Sequence, residues 1–529
     1  MRRSIDLWIA FGLFAFALAV RAFTLLAHPF DGLYGQDPYA YYDYAAALRP
    51  ALLNGQAPPP FFWPLGYPLH VVAASWIMGM NSQAAQLVSA VAGALIAPLT
   101  FALAREVLWK PDPAQARRVG IVAGLIVATA GQLLISSLSI MSDATGLAWA
   151  TTSGWLTLRY ARTLRPALLA LAAFTLAIAV ITRWVFGLLA LPWAGCVLLA
   201  WRRAPRSIGF GRALALASIA VIVGGAVVGA QLLSGDSHTG DLQVVSWNPA
   251  NALRSEVVNS DGTFRYSLPI GVFYLIRPLF HPSFIFPLLA PLWLVGLGSL
   301  LSKPAGGHPD ARPSERHRDA VLRFFRQESG SSNRVDSAAR VLLIGWPWIV
   351  YVFLAGIAWQ SDRFLLTLFP PLAVWVGLGF NRVWETRPHW RRGLSLFTLV
   401  ALAGALLWSL RTAGDFVERN KNADLARAQH VAAQLPGGAQ VITFGVTLTL
   451  QHYTDLDAIE IYHETPASLE ARVCGSDTAY LYLDVANIEG QWTGLAPEAN
   501  YRWLREGPGL EMIDQFQGFT LFKVRGDCA

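Results

Sequence analysis

Long apolar segments recur along most of this chain, and they constrain its fold more than any other feature. A membrane-spanning helix needs about 20 mostly apolar residues. About eleven segments meet this requirement, at residues 7–27, 84–108, 119–138, 141–158, 167–182, 184–201, 213–233, 283–301, 341–358, 364–381 and 393–411. Charged residues make up only 14% of the 529 residues, against about 25% in soluble domains. The sequence therefore predicts a polytopic α-helical membrane protein with about 11 transmembrane helices.

The distribution of Lys and Arg between alternate connections predicts the orientation of these helices. One set of connections contains 25 of these residues and the other set contains 6. Because cytoplasmic loops carry the excess of basic residues in membrane proteins, we assign the richer set to the cytoplasm. The same asymmetry accounts for the net charge of +7, which therefore does not indicate nucleic-acid binding. We expect a multi-pass protein of the cell (plasma or inner) membrane.

The chain divides into a membrane part and a tail of different composition. Residues 1–411 are predicted to form one transmembrane module, with outward loops at 28–83 and 234–282 and a cytoplasmic linker at 302–340. Residues 412–529 lack long apolar runs and are predicted to form a small extracytoplasmic α/β domain. Its expected elements are a helix at Asp415–Gln434 and strands at Ala439–Phe444, Ala458–Tyr462, Ala479–Leu483 and Phe519–Val524. Cys474 and Cys528 both lie there, either as a disulfide or as two free thiols.

The first outward loop carries the most informative polar stretch of the chain. Residues 31–44 contain three carboxylates and five tyrosines directly after the first apolar segment. Asp37 precedes Pro38 and suits the N-terminus of a helix, and Tyr41 and Tyr42 follow it. One interpretation is a helix cap within an interfacial aromatic belt. The other is a carboxylate at the bilayer boundary that takes a proton from an incoming hydroxyl. Further along the same loop, Leu69–Met80 is apolar but too short to span, which favours a helix along the membrane surface.

Four further candidate residues flank the outer ends of apolar segments, and a fifth lies in a turn. Arg183, Arg277 and Arg363 could bind a phosphate group with their planar, permanently charged guanidinium groups, or extend to lipid headgroups. His281 follows Arg277 and adds a weaker basic candidate. Asp143 lies in the second outward turn, where it either caps a helix or belongs to a site.

Several common signatures are absent from the sequence. It contains no glycine-rich phosphate loop, no HExxH and no CxxC motif, and we expect no cofactor. Two of the apolar segments, 119–138 and 213–233, carry no ionisable residue, unlike the helices of many proton-coupled carriers. Chemistry at the outer surface is therefore favoured over two alternatives, which are a lipid-linked saccharide flippase or other transporter and a non-catalytic scaffold with a wall-binding tail.

These segments together resemble the GT-C membrane glycosyltransferases, and most closely the protein-O-mannosyltransferase and aminoarabinose-transferase-like enzymes. The resemblance rests on "GQDPYAYYDYA", "WPLGYPL", "SIMSDATGLAWA", "ITRWVFGLLALP" and "QSDRFLLTLFPPL". It implies a GT-C-like fold and a polyprenyl-phosphate-linked sugar as donor. It also implies transfer, with inversion, to a protein, lipid or glycan acceptor on the extracytoplasmic face. Because a monophosphate leaving group carries less charge than a diphosphate, arginine residues could replace a metal ion, and we expect no required metal.

The resemblance also implies roles for particular residues. Asp37 matches the acidic residue of the first outward loop, which is the expected base, and Arg363 matches a basic residue placed near the lipid phosphate. Asp143 falls where relatives carry an acidic residue in the second outward loop. Many mannosyltransferases have two adjacent acids in the first loop, whereas Gln36 precedes Asp37 here.

Overall fold

The computed structural model describes residues 2–108, 112–203, 210–233, 247–302, 335–474 and 479–525. The membrane part consists of helices α1 (Arg2–Ala27), α2 (Asp37–Leu53), α3 (Gly66–Met78), α4 (Ser82–Arg105), α5 (Pro113–Ala128), α6 (Gly131–Leu138), α7 (Ser142–Thr163), α8 (Pro166–Thr182), α9 (Ala190–Arg203), α10 (Phe210–Leu233), α11 (Ile270–Phe280), α12 (Ala290–Leu301), α13 (Ser337–Gly356), α14 (Phe369–Thr386) and α15 (Arg391–Phe416). Short 3-10 helices precede α9, α12, α14 and α15, at Trp184–Leu189, Pro287–Leu289, Asp362–Leu368 and Pro388–Trp390. A further 3-10 helix, Pro249–Leu253, precedes the hairpin of β1 (Glu256–Asn259) and β2 (Gly262–Arg265).

Each of the eleven predicted apolar segments overlaps helical structure, although segment 119–138 falls on two helices, α5 and α6. Among the described residues, six helices are long and apolar enough to cross a membrane, and the pair α5 and α6, bent by 56°, makes a seventh. The other predicted spans fall short for physical reasons. Helix α8 has 17 residues, the apolar helices at 215–226 and 287–301 are also short, and α7 contains charged and hydroxyl side chains. The protein is thus a multi-pass helical membrane protein, and the count of eleven spans stays a prediction.

The tail forms a five-stranded mixed sheet with helices packed against it. Its helices are α16 (Ala423–Ala432), α17 (Thr447–Tyr453), α18 (Pro466–Cys474), α19 (Val485–Gly490) and α20 (Ala496–Glu506), with a 3-10 turn at Ile461–His463. Its strands are β3 (Gln440–Thr443), β4 (Asp457–Glu460), β5 (Ala479–Leu483), β6 (Leu510–Phe516) and β7 (Phe519–Val524), in the order β4-β3-β5-β7-β6. Strands β4, β3 and β5 are parallel, whereas β7 and β6 run antiparallel.

The predicted tail elements are present, with two additions. The four predicted strands correspond to β3, β4, β5 and β7, and the predicted helix 415–434 is the end of one helical run that continues from α15 through a π-helical turn at Val417–Asn422 into α16. Strand β6 was not predicted, because its apolar residues do not alternate and Met512 and Ile513 are exposed beside a bulge. Cys474 is disulfide-bonded, whereas Cys528 and most of the predicted linker, residues 303–334, lie outside the described residues.

Helices α12 and α14 touch backbone to backbone at a pair of glycines. A Cβ on Gly296 would lie 1.7 Å from the carbonyl oxygen of Trp375, and a Cβ on Gly379 would lie 1.8 Å from that of Leu292. No side chain fits at these distances, so small residues are what allows the two helices to approach. Because α14 follows directly on the turn containing Arg363, this contact also supports the candidate site.

We expect Gly379→Ala to destabilise the protein by about 1–3 kcal/mol, the usual effect of overpacking a helix contact. The measurement is thermal unfolding of the purified protein in detergent. Gly393→Ala is the matched control, because no atom lies within 4 Å of a Cβ at Gly393 in α15. Equal unfolding temperatures for the two variants would contradict the role given to this contact.

Candidate active site

Asp37 lies in the first turn of α2 and forms an ion pair with Arg363. The Nη1 atom of Arg363 is 2.9 Å from Oδ2 of Asp37, although the two residues are 326 positions apart. Pro38 suits the start of the helix because its missing N–H would be unpaired there in any case. Gln36 is the N-cap, so Asp37 is free of the capping role that the sequence left open. About a third of the Asp37 side chain is accessible, which leaves the carboxylate open to a substrate.

Asp143 extends this ion pair into a larger cluster. It lies in the first turn of α7 with only 1% of its side chain exposed, and its Oδ1 accepts a hydrogen bond from Nη1 of Arg183. Its Oδ2 is 3.8 Å from Nε of Arg363. Asp37, Arg363, Asp143 and Arg183 therefore alternate in charge, and we call these four residues the acid–arginine cluster. A buried carboxylate at the end of a membrane helix is costly unless it is paired, and here two arginines pair with it.

The two arginines of the cluster share one aromatic neighbour. The guanidinium carbons of Arg183 and Arg363 lie 5.4 and 5.5 Å from the ring centre of Phe364. The ring restricts both guanidinium groups and attracts their charge. Within the described residues, Nε of Arg363 and Oδ2 of Asp143 are buried without a hydrogen-bond partner. The cluster thus holds its charges in place while its hydrogen-bonding capacity is not fully used.

Of the two candidate tyrosines, Tyr41 reaches the cluster and Tyr42 does not. The hydroxyl group of Tyr41 lies 3.0 Å from Oγ of Ser142, next to Asp143, and its ring stacks on Trp63. Burial raises the pKa of Tyr41 to about 12, so it stays a neutral phenol rather than acting as a base. Tyr42 instead lies against His452 of the tail, with ring centres 6.1 Å apart.

The two other basic candidates, Arg277 and His281, both make contacts outside the cluster. Arg277 forms a two-fold hydrogen bond with Asp362, at 2.9 and 3.0 Å, and Asp362 directly precedes Arg363. Arg277 therefore supports the turn that carries Arg363, and its charge is already balanced. The Nδ1 atom of His281 accepts a hydrogen bond from the N–H of Ser283 in its own loop, which is a structural contact.

Two residues near the cluster were not singled out by sequence analysis. Asp362 is the partner of Arg277. In the sequence, only its position directly before Arg363 could have indicated a role for it. Tyr34 interacts electrostatically with Asp37, Asp143 and Arg363 and hydrogen-bonds Ser139, and burial raises the pKa of its phenol. In the sequence it was one of five tyrosines, with nothing to set it apart.

An apolar groove of about 380 Å³ opens between α3, α4 and α7. Most of its lining is aliphatic, and its polar members are His70, Thr145, Trp149 and Thr152. Thr145 follows Asp143 by two residues, so along the axis of α7 the groove begins within one helical turn of the cluster. The Nε1–H of Trp149 donates to Nε2 of His70 at 3.0 Å, which joins α3 to α7 along the groove. The lining of this groove is suited to a hydrocarbon chain.

The described residues contain no group of three or more His, Cys, Asp or Glu side chains able to hold a metal ion. That the reaction needs no metal ion stays a prediction, because the side chains near the site do not by themselves decide it.

Comparison with known proteins identifies the fold. Residues 47–208 match the family described as dolichyl-phosphate-mannose-protein mannosyltransferase. The chain is similar to ArnT from Cupriavidus metallidurans bound to undecaprenyl phosphate, with 14% identity over 97% of this chain and 98% of that chain and a TM-score of 0.59. It is also similar to the archaeal oligosaccharyltransferase AglB from Archaeoglobus fulgidus, in complex with an inhibitory peptide and a dolichol-phosphate. That match has 12% identity, covers 98% of this chain and 74% of that chain, and has a TM-score of 0.53.

No curated protein matches the chain significantly in sequence. The family match and the structural similarities together confirm the predicted resemblance to membrane glycosyltransferases of the GT-C fold.

Proposed function

We propose that this chain, which has the fold of the GT-C membrane glycosyltransferases, transfers a sugar from a polyprenyl-phosphate-linked donor to an acceptor hydroxyl group on the extracytoplasmic face of the membrane. The observation that carries the proposal is the ion pair of Asp37 and Arg363 within the acid–arginine cluster, beside an apolar groove. A carboxylate, two guanidinium groups and a hydrocarbon site are the three components that this reaction needs. The similar proteins bind undecaprenyl phosphate and dolichol-phosphate, which supports a carrier of this class.

The first chemical step assigned to the site is proton transfer. Arg363 holds one oxygen of the Asp37 carboxylate, and the other oxygen accepts the proton of the acceptor hydroxyl group. The acceptor oxygen then forms a bond to the anomeric carbon as the bond from that carbon to the phosphate oxygen breaks. Attack from the face opposite the phosphate inverts the configuration, because a single displacement occurs.

The departing polyprenyl phosphate receives the electron pair of the broken bond. Arg363 and Arg183 stabilise this increase in negative charge, as preorganised cationic groups do in sites that exclude water. Phe364 and Asp143 fix both guanidinium groups before the substrate arrives, so little reorganisation is needed during the reaction. Because a monophosphate leaving group carries less charge than a diphosphate, two arginines suffice in this mechanism without a metal ion.

The proposed topology places the site and the tail on the same side of the membrane. The eleven helices predicted from sequence would all cross the cell membrane, some of them as short or bent segments. Asp37, Arg183 and Arg363 lie at the ends of helices that the basic-residue distribution assigns to the outside. The tail contacts the loop that carries Asp37 and belongs on the same, extracytoplasmic side.

The direct test is to identify the lipid that copurifies with the protein by mass spectrometry and then to supply it as donor. We expect a polyprenyl-phosphate sugar and its transfer to an acceptor with inverted configuration. A protein that binds no such lipid and transfers no sugar from any member of this class would overturn the proposal.

The groove provides a second prediction. We expect Ala148→Trp, which fills the groove, to weaken binding of a long-chain polyprenyl phosphate about tenfold while inorganic phosphate, which has no hydrocarbon chain, binds as before. The matched control is Leu294→Trp on the exposed face of α12, where the new ring meets lipid only. The affinity for each ligand is measured by native mass spectrometry. Equal losses for the polyprenyl phosphate and for inorganic phosphate, or no loss for either, would place the hydrocarbon chain elsewhere.

A further inference from the structure

The tail holds the segment that carries Asp37 at several points along its length. We call residues 31–43 the base-carrying segment. Its contacts with the tail, and with the last residue of α15 that leads into it, are Asp31 with Lys421 and Tyr453, Tyr34 with Phe416, Gly35 with Asp424, Tyr39 with Thr449 and His452, and Asp43 with His452. These contacts lie on both sides of Asp37 in the segment.

The first anchor is the ion pair between Asp31 and the buried ammonium group of Lys421. The Nζ atom of Lys421 lies 3.1 Å from Oδ2 of Asp31, and the hydroxyl group of Tyr453 donates to the same oxygen. Lys421 also lies 3.8 Å above the ring of Tyr453, with only 7% of its side chain exposed. A buried ammonium group is costly unless it is paired, so this geometry is strongly specified.

The π-helical turn Val417–Asn422 directs Lys421 into this position. A π-turn inserts an extra residue into a helix and so rotates the side chains that follow relative to those before. Such turns occur frequently at functional sites. In this protein the turn allows one continuous helical run to pack Phe416 on Tyr34 and still present Lys421 to Asp31.

The second anchor lies close to Asp37 in the chain. The N–H of Gly35 donates to the carboxylate of Asp424, and Gly35 has a φ of 54°, a conformation that favours glycine. On the other side, the fully buried Tyr39 has its hydroxyl group 3.2 Å from Oγ1 of Thr449. Asp37 is therefore two residues from an anchored position in each direction.

The third anchor fixes the direction of α2. Nε2 of His452 lies 3.1 Å from Oδ1 of Asp43, and the His452 ring packs on Tyr39 with centres 4.8 Å apart. Thr449 and His452 belong to α17, so one short helix of the tail lies along the first two turns of α2.

We propose that the tail is a positioning domain, in which Lys421 and Tyr453 hold the base-carrying segment so that Asp37 meets Arg363. The inference rests on the proposed function, because it assigns a purpose to the position of the proposed base. Lys421 and Tyr453 act on Asp37 through their contacts with Asp31. A displacement of a catalytic group by about 1 Å costs about 10²-fold in rate, so small changes in the segment are expected to be visible in kcat.

The experiment uses the full-length protein in nanodiscs and the double variant Lys421→Met/Tyr453→Phe. Hydrogen exchange of residues 31–43 is measured together with kcat and KM for the donor. We expect exchange in the segment to rise about tenfold and kcat to fall about 10- to 100-fold, while the donor KM changes less than about twofold. Unchanged exchange in β5 shows that the tail still folds. Lys421→Arg keeps the charge and is expected to restore most of the kcat.

The control variant breaks an ion pair within the tail. Arg505→Ala removes the 3.0 Å contact with Glu489 and should leave both exchange of the segment and kcat unchanged. Two results would overturn the positioning role alone: faster exchange with an unaltered kcat, or a reduced kcat without faster exchange. Wild-type protein that transfers no sugar would instead overturn the proposed function, and with it the role of Asp37.

Discussion

Asp37→Asn is expected to lower the rate of sugar transfer about 10²- to 10⁴-fold, the contribution usual for a general base. The amide is nearly the same size as the carboxylate and still accepts a hydrogen bond from Arg363, but it cannot take a proton at neutral pH. Donor binding should therefore remain, and the loss should fall on kcat. The measurement is initial-rate transfer with purified protein and the identified donor.

The matched control for this variant is Asp455→Asn, the same chemical change at an exposed position of the tail. Asp37→Glu retains a carboxylate and should recover part of the activity, since only the position of the oxygens changes. If Asp37→Asn keeps most of its activity, Asp37 is not the base, and its ion pair with Arg363 is structural.

Arg363→Ala is expected to have the second large effect, on donor binding. Arg363 pairs with Asp37 and lies within 3.8 Å of Asp143, so its removal leaves two carboxylates facing the phosphate. Truncating one partner of a buried charge pair typically costs about 2–5 kcal/mol, which corresponds to a loss in affinity of about 30-fold or more. The measurement is retention of polyprenyl phosphate by the purified variant.

Two other arginine variants test whether the effect of Arg363→Ala comes from the loss of a phosphate-binding group. Arg411→Ala, at a largely exposed arginine of α15, removes a charge without touching the cluster and should bind the lipid normally. Arg363→Lys keeps the charge but loses the planar fork of donors, so an intermediate affinity is expected. If Arg363→Ala binds donor as the wild type does, Arg363 does not bind the phosphate, and its ion pairs with Asp37 and Asp143 are structural.

Much of the fold was predictable because apolar segments of membrane length have few alternatives. The eleven segments all overlap helical structure, and the tail strands with regular apolar patterns were found. Strand β6 and the hairpin β1–β2 were not, because short exposed strands take their stability from pairing with neighbours rather than from their own pattern. The 56° bend between α5 and α6 was also invisible, since the chain between them is apolar on both sides.

The residues of the site could be predicted from the sequence, but the ion pairs between them could not. Asp37, Asp143, Arg183 and Arg363 could be nominated singly, as charged residues at the ends of apolar segments. That they form one alternating cluster depends on how helices far apart in sequence pack together. Arg277 shows the limit: its partner Asp362 became evident only in three dimensions. Lys421 could not have been selected, because its direction depends on a π-turn that no residue pattern specifies.

The acid–arginine cluster contains two positive and two negative side chains, and this balance has a consequence for turnover. A polyprenyl-phosphate sugar is a phosphodiester with a single negative charge, whereas the spent carrier is a phosphomonoester with about −1.5 to −2 at pH 7. In the proposed reaction Asp37 also takes up a proton, so the cluster becomes net positive and attracts the spent carrier more strongly than the incoming one. Escape of the used lipid into the bilayer, rather than bond formation, would then set the pace of the catalytic cycle.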